Sequence, residues 1–369
     1  MRFVLTCGGS GGHINPALAV AQKLRKEGHE ILFIGAPQGL ERDLVPREGF
    51  PIEFVEIRAL SHSLKPKAIL KNMGVLFQMA TATKKTKKIL KNFAPNAILG
   101  TGGYASFPAL YAGAKLKIPV LVHESNAIPG ITTRRIAPHA TAILVGQEAC
   151  RKHYKQKEKV RVVGTPVRPE FFEKEKDAPR GALGLDSRPV VVSIFGSQGA
   201  GDMNRLILEL WKEKEPNWQH IHAAGAKAYA SLKESAKEKR VNIFPASGLR
   251  LVDYIHNMAE TLAAADVIVC RAGASTLAEL TAAGKSAILI PSPNVVADHQ
   301  TKNAKVLEEA GGAILLPEDR LTVEKLYGAV EKLLADEAKR KTMSRVLKNL
   351  SVPDSAQKIA DIMKNKALQ

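Results

Sequence analysis

The sequence predicts an α/β protein made of two doubly wound parallel-sheet domains in tandem, and three observations carry that reading. Short apolar runs alternate with amphipathic stretches almost throughout, the pattern of parallel strands joined by right-handed helical crossovers. The opening unit, a strand followed by a glycine turn and a helix, recurs from Pro189, where PVVVSIF runs into GSQGA and a new helical pattern. At 369 residues the chain is also too long for one ordinary core.

In the first half, strands are expected at Arg2–Cys7, Glu30–Gly35, Ile52–Ile57, Ala97–Leu99, Val120–His123, Ala142–Val145 and Val160–Val163. The first helix is expected over Asn15–Glu27, because Asn15 can cap it, Pro16 suits a first helical position and Gly28 stands where a C-terminal cap belongs. The second series continues through HIHAAG, VNIFPAS, ADVIVC, SAILIP and AILLP. The seam falls near GTPVRPEFFEKEKDAPRG, which places the domains at 1–164 and 165–352. A last amphipathic helix, over 353–369, is expected to pack back on the first domain.

Composition narrows the class. No window approaches the ~18 uncharged apolar residues of a membrane span, and the N-terminus enters a strand without a signal-peptide pattern, so a cytoplasmic protein is expected. Cys7, Cys150 and Cys270 lie far apart and outside any C-x-x-C pairing, which indicates neither a disulfide framework nor a structural zinc site. A net charge of +18 calls for an acidic partner. Nucleic acid fits poorly, since aromatics are 5% of residues and no reader motif occurs. Between Glu56 and Glu124 there is no Asp or Glu, while lysines abound around an apolar row of Ile69, Met73, Leu76, Phe77 and Ala80. That stretch fits a core-facing helix with a solvated lysine side, or a basic helix whose apolar face meets anionic headgroups.

The chemistry concentrates in glycine turns. GGSGGH, between the first strand and its helix, exposes unpaired N–H groups at the positive end of a helix dipole, which suits a phosphate. Dinucleotide binding would require G-x-G-x-x-G and a carboxylate ending the second strand, yet that strand ends Phe33-Ile34-Gly35-Ala36. A P-loop is excluded because no G-K-[ST] follows the glycines. GTGGYASFPA, GSQGA and RAGASTLAEL repeat the theme after later strands. Turns at the C-terminal ends of strands, two per domain, would line one cleft.

Taken together, GGSGGHINPALAVA, GTGGYASFPAL, HESNAIPG, GTPVR, GSQGA and RAGASTLAEL…ADHQTKNA resemble one family across nearly the whole chain. It is the bacterial family of UDP-N-acetylglucosamine:undecaprenyl-diphospho-muramoylpeptide N-acetylglucosaminyltransferases. The resemblance implies the GT-B fold, two Rossmann-like domains facing a cleft, and transfer of GlcNAc from UDP-GlcNAc to lipid I, giving lipid II. It also implies a peripheral protein on the cytoplasmic face of the cell membrane, against anionic phospholipid and among other cell-wall synthesis proteins. Diacylglycerol glycosyltransferases and UDP-sugar epimerases share the fold and a nucleotide-sugar site, but the first turn and GGYASFPA favour the lipid I enzymes.

By that resemblance the donor lies mainly against the second domain. Glu279 corresponds to the acidic residue that accepts from the ribose hydroxyls. Its residues alone also allow a capping box with Thr276, in which the carboxylate satisfies a helix-start N–H. Ser197 and the turn of Ala274, Ser275, Thr276 and Leu277 correspond to donor phosphate contacts. Ile255 in LVDYIHNM corresponds to a backbone contact to uracil, or is a core isoleucine of an amphipathic helix. Gln300 corresponds to the residue that reads GlcNAc hydroxyls, for which an amide offers both a donor and an acceptor. Asn126 and Arg168 correspond to donor-contacting positions of the first domain and the hinge, and Arg168 fits a surface arginine equally.

On the acceptor side, Ser10, Gly11 and Gly12 correspond to the loop that reaches both substrates, and Gly102, Gly103 and Tyr104 to the lipid pyrophosphate site. Ile69, Met73, Leu76 and Phe77, with Lys84, Lys85, Lys87 and Lys88, would face the membrane. The family inverts the sugar's configuration, so one in-line displacement needs a base for the acceptor hydroxyl and stabilisation of the departing UDP. His13, with an imidazole that titrates near neutrality, suits the base role, or else orients the loop or donates to a phosphate. No Asp-x-Asp occurs, and neither a metal nor a cofactor is expected, since helix N-termini can stabilise the diphosphate.

Overall fold

The computed structural model describes residues 1–58, 66–173, 177–196, 199–243, 247–295 and 298–368, with the backbone alone at 66–73, 76–77, 173 and 177–179. Two compact units result, Met1–Arg168 together with Val352–Gln369, and Pro169–Ser351. Each is built on one parallel sheet, as the Rossmann-like reading requires. The first contains β1 (Arg2–Thr6), β2 (Glu30–Gly35), β3 (Ile52–Phe54), β4 (Ala97–Gly100), β5 (Val120–Glu124), β6 (Ala142–Val145) and β7 (Val160–Val162). The second contains β8 (Val190–Ile194), β9 (Gln219–Ala223), β10 (Leu249–Val252), β11 (Val267–Cys270), β12 (Ala287–Leu289) and β13 (Ala313–Leu315).

Strand order is what positions the site. The first sheet runs β3-β2-β1-β4-β5-β6-β7 and the second β10-β9-β8-β11-β12-β13. Thr6 is registered between Ile34 and Gly100, and Ile194 between Ala223 and Cys270. The order reverses between β1 and β4, and again between β8 and β11. At such a switch point the connections leave in opposite directions and open a crevice outside the carboxyl ends of the strands. All the glycine turns picked out in the sequence follow one of these four strands.

Near-continuous apolar strands are buried on both faces, as a helix-covered parallel sheet demands. In the first unit Phe3, Leu5, Leu99 and Leu121 pack against the helix Gly11–Lys26, while Val4, Ile98, Val122 and Ile143 face the other side. The C-terminal helix Ser355–Ala367 joins the first of these layers through fully buried Ile359, Ala360 and Met363. Lys364 pairs with Glu27 of the first helix at 2.6 Å. Emptying the Ile359 or Met363 site would cost about 2–5 kcal/mol.

Two local expectations fail, and one alternative is narrowed. The first helix begins at Gly11 with Ser10 as N-cap, so Asn15 is internal and does not cap. The Ser10 carbonyl already accepts from the His13 and Ile14 N–H groups at 3.0 and 3.2 Å, and Pro16 forfeits only the bond its missing N–H would have made to Gly12. The strand expected at VNIFPAS does not form over Val241–Ile243, and residues 244–246 lie outside the described residues. Leu249–Val252 takes the place beside β9 instead. Finally, Ile255 is not helical: it is a buried residue in the turn between β10 and the helix Met258–Ala264.

The basic stretch forms the helix Pro66–Phe93, which buries Val75, Ala82 and Leu90 and leaves Lys84, Lys85 and Lys88 exposed and Lys87 half-buried. Ala80, from the apolar row, is exposed, while the side chains of Ile69, Met73, Leu76 and Phe77 lie outside the described set. Among the described residues no helix is long and apolar enough to cross a membrane.

Candidate active site

At the first switch point the turns after β1 and β4 lock together. Gly103 adopts φ +81, and a Cβ there would lie 2.1 Å from the Gly8 carbonyl oxygen, so this glycine serves backbone-to-backbone packing. Gly102, at φ +104, is filled from the other side by His13, whose Nδ1 would lie 2.8 Å from an added Cβ. His13 and Thr101 are tied reciprocally. The Thr101 hydroxyl donates to the His13 carbonyl at 2.6 Å, and the ring Nδ1 lies 3.1 Å from the Thr101 carbonyl. A carbonyl only accepts, so Nδ1 carries the proton and the neutral ring has its lone pair on Nε2.

The outer part of the same loop is different. A Cβ on Gly11 would meet nothing within 4 Å, and one on Gly12 only the Ser10 hydroxyl at 3.8 Å. These are first-turn residues whose N–H groups have no acceptor inside the helix. Exposed Ser10 is the N-cap, yet its hydroxyl makes no capping bond. Tyr104 opens a 3-10 turn with its ring beside Gly9, and burial, followed by the Glu41 charge, pushes its phenol pKa up.

Two carboxylates that the sequence reading passed over organise this unit. Glu41 is 0% exposed and accepts from the Gly9 and Ala36 N–H groups, both at 3.0 Å. One N–H of the glycine loop is therefore turned inward. Glu124, at the end of β5, accepts from the Asn126 N–H and amide at 3.0 and 2.8 Å through Oε1. Its Oε2 accepts from the Gly130 N–H at 2.8 Å and the Thr133 hydroxyl at 2.6 Å. Because a carboxylate only accepts, the Asn126 amide orientation follows: NH2 toward Glu124, Oδ1 away from it. The available signal was an acid ending a buried strand in HESNA, and an acid starting a helix two residues after a glycine in GLER.

At the second switch point the helix Ala274–Ala283 starts directly after β11, with Gly273 as N-cap. The Leu277 N–H bonds the Gly273 carbonyl at 3.0 Å, so those of Ala274, Ser275 and Thr276 precede the first intrahelical bond. Thr276 is thus inside the helix, and the capping-box alternative for Glu279 is excluded. Half-buried Glu279 lies one turn on from Ser275 and Thr276, on their face. Its charge helps burial push the Cys270 thiol up to about 12. Arg271 opens the turn but is spent on Glu318, at 2.6 and 3.1 Å, and on the Ile290 carbonyl at 3.0 Å, which pins the turn to the strand ends.

Gln300, in the first turn of the helix His299–Glu309, accepts the Ser292 N–H at 2.9 Å through Oε1. The expectation of an amide offering both a donor and an acceptor narrows accordingly, and NH2 is the group it presents. Arg168 ends the first unit, Ile255 follows β10, and Ser197 lies outside the described residues.

Residues 3–145 match the glycosyltransferase family 28 N-terminal domain, and residues 190–359 the glycosyltransferase family 28 C-terminal domain. Over 367 residues the chain is 39% identical to a protein of Caldanaerobacter subterraneus subsp. tengcongensis, covering 99% of each. That protein is named UDP-N-acetylglucosamine--N-acetylmuramyl-(pentapeptide) pyrophosphoryl-undecaprenol N-acetylglucosamine transferase. A crystal structure of Acinetobacter baumannii MurG matches with a TM-score of 0.73 and 25% identity, covering 99% of both chains. A UDP-GlcNAc 2-epimerase from Neisseria meningitidis, bound to UDP-GlcNAc, matches with a TM-score of 0.68 at 13% identity over 99% of this chain and 100% of the other, a likeness of fold alone.

Proposed function

The chain belongs to glycosyltransferase family 28, and from that membership we propose that it transfers GlcNAc from UDP-GlcNAc to the MurNAc 4-hydroxyl of lipid I, giving lipid II. In the second unit the N–H groups of Ala274, Ser275 and Thr276 receive the donor diphosphate at a helix N-terminus. Glu279 accepts from the ribose hydroxyls, Ile255 borders the uracil, and the Gln300 NH2 donates to a sugar hydroxyl oxygen. In the first unit Gly11 and Gly12 leave room for substrate beside His13, Asn126 presents Oδ1 to the donor sugar, and the turn of Gly102, Gly103 and Tyr104 adjoins the lipid diphosphate.

The observation that carries the chemistry is the His13–Thr101 bond. With Nδ1 committed, Nε2 takes the proton from the acceptor hydroxyl as its oxygen forms the bond to the anomeric carbon. The bond from that carbon to the diphosphate breaks, its electron pair leaves with UDP, and the helix N-terminus stabilises the charge. One displacement at the α-linked carbon gives the β product. The reading is tested by supplying UDP-GlcNAc with either lipid I or plain diacylglycerol. GlcNAc should appear on lipid I alone, and transfer to diacylglycerol would replace this assignment with another glycosyltransferase.

A peripheral position on the cytoplasmic membrane face, where other cell-wall synthesis proteins work, accords with the exposed Lys84, Lys85 and Lys88. Each lysine near an anionic surface contributes about 1 kcal/mol. Reversing the charge at Lys84, Lys85, Lys87 and Lys88 should release the protein from phosphatidylglycerol vesicles in a flotation assay. Unchanged association would refute that surface.

A further inference from the structure

Beneath the turn after β8, five buried side chains form a hydrogen-bond chain that none of the roles above uses. Ser193 on β8 and His222 on β9 are register partners, with His220 two residues back on the same face. Trp211 and Asn204 reach them from the helix Gly201–Lys214. None of the five exceeds 3% exposure. The direction of every bond is forced by what each group can do. Trp211 Nε1 can only donate, so His220 Nδ1 accepts at 2.8 Å. The proton of that ring is then on Nε2, which donates to Ser193 Oγ at 2.9 Å. The serine proton goes to His222 Nδ1 at 2.7 Å, and His222 Nε2 donates to Asn204 Oδ1 at 3.1 Å. Asn204 Nδ2 finally donates to the Ala224 carbonyl at 2.9 Å.

That carbonyl is the floor of the turn. Gly199, at φ +75, approaches it so closely that a Cβ would lie 2.3 Å from the oxygen. The Gly199 N–H closes the turn on the Gly196 carbonyl at 2.9 Å, and the Asn204 N–H ties the helix start to Ala200 at 2.8 Å. An apolar core would fill the same space but fixes no direction, whereas here each link sets the next and the last one holds the floor.

We propose that the Trp211–His220–Ser193–His222–Asn204 chain is a positioning device for the nucleotide-sugar diphosphate, holding Gly199 and the first turn of the helix Gly201–Lys214 in the receiving conformation. Ser193 is the link on which both halves depend. The assignment rests on the second unit being the donor site.

Ser193→Ala removes one oxygen, leaving the His220 Nε2–H without its acceptor and His222 Nδ1 without its donor. The expected result is a KM for UDP-GlcNAc raised about tenfold with kcat within about twofold, the size of one lost directed hydrogen bond. Ser193→Thr, which keeps the hydroxyl, should restore KM. Leu210→Ala, in the same helix and core but outside the chain, should lower the melting temperature at least as far with KM unchanged. If Leu210→Ala raises KM as much as Ser193→Ala does, the effect is mere destabilisation and the proposal is overturned. Calorimetric UDP binding with Glu279→Gln as reference separates the two readings. Weakening by Glu279→Gln but not by Ser193→Ala overturns the chain alone, while no weakening by either overturns the donor site beneath it. Should Ser193→Ala fail to fold, Trp211→Phe removes the first donor and keeps a ring, and an unchanged KM in that variant overturns the proposal equally.

Discussion

The two switch points use one sequence device, a pair of glycine turns, on different supports. In the first unit Gly103 rests on the Gly8 backbone, His13 fills the space beside Gly102, and the buried Glu41 carboxylate draws the Gly9 N–H inward. In the second the turn after β8 rests on neutral side chains, and the turn after β11 is pinned by an arginine already paired with Glu318. An N–H committed to a carboxylate cannot also receive a phosphate, so the first pair exposes mainly the helix start at Gly11 and Gly12. On our proposal one region is built to hold a base still, and the other to receive a diphosphate.

The sharpest test of that contrast is His13→Ala. Loss of a positioned base should lower kcat by about 100- to 10,000-fold in a steady-state transfer assay, with the KM for UDP-GlcNAc little changed. Equal losses in kcat and donor affinity would make His13 a binding residue and blur the distinction between the units. Next in size is a pair of glycine variants. Gly103→Ala forces a Cβ against the Gly8 carbonyl at a φ that L-residues avoid, and should cost about 2–4 kcal/mol by denaturant unfolding. Gly11→Ala meets nothing, so the fold should keep its stability or gain up to about 1 kcal/mol of helix propensity, while acceptor KM rises. Equal destabilisation by both would mean that all the glycines serve packing.

Glu279→Gln probes the second unit. A lost hydrogen bond to a charged group is worth about 1.5–3 kcal/mol, so the KM for UDP-GlcNAc should rise roughly 10- to 100-fold with kcat kept. A fall in kcat alone would place Glu279 in the chemical step instead. A fourth test concerns the support beneath. Burial holds His222 down at about 3 and His220 well below the ordinary imidazole range. Both stay neutral in the native protein, while the unfolded chain binds protons below about pH 6.5, so stability is full above that value and declines as pH falls toward 3. Each histidine contributes a slope of about 1.4 kcal/mol per pH unit in that window. Both tryptophans, Trp211 and Trp218, lie in the second unit, so their fluorescence reads its melting directly. A flat melting temperature from pH 7 to 5 would break the neutral-support half of the comparison.

What could be read in the chain follows what is local. Alternating strands, the repeated strand–turn–helix unit and the helix start after β11 depend on neighbouring residues, so they were legible. The early start of the first helix was hidden because Asn15 and Pro16 imitate a start signal that the Ser10 carbonyl pre-empts. Leu249–Val252 was missed because its pairing with β9 outweighs the stronger apolar run at Val241. Glu41, Glu124, Ser193 and His222 look like surface residues in a sequence, and only partners brought in by other strands and helices reveal them as buried and satisfied. For the buried chain under the second unit, the visible hint was a pair of histidines at strand period in HIHAAG.

A crystal structure with UDP-GlcNAc bound decides whether the helix start after β11 holds the donor. The diphosphate should lie within about 3 Å of the N–H groups of Ala274, Ser275 and Thr276, with the ribose hydroxyls on Glu279. Uridine held away from that helix start, with Glu279 bonded only to protein, would contradict that placement.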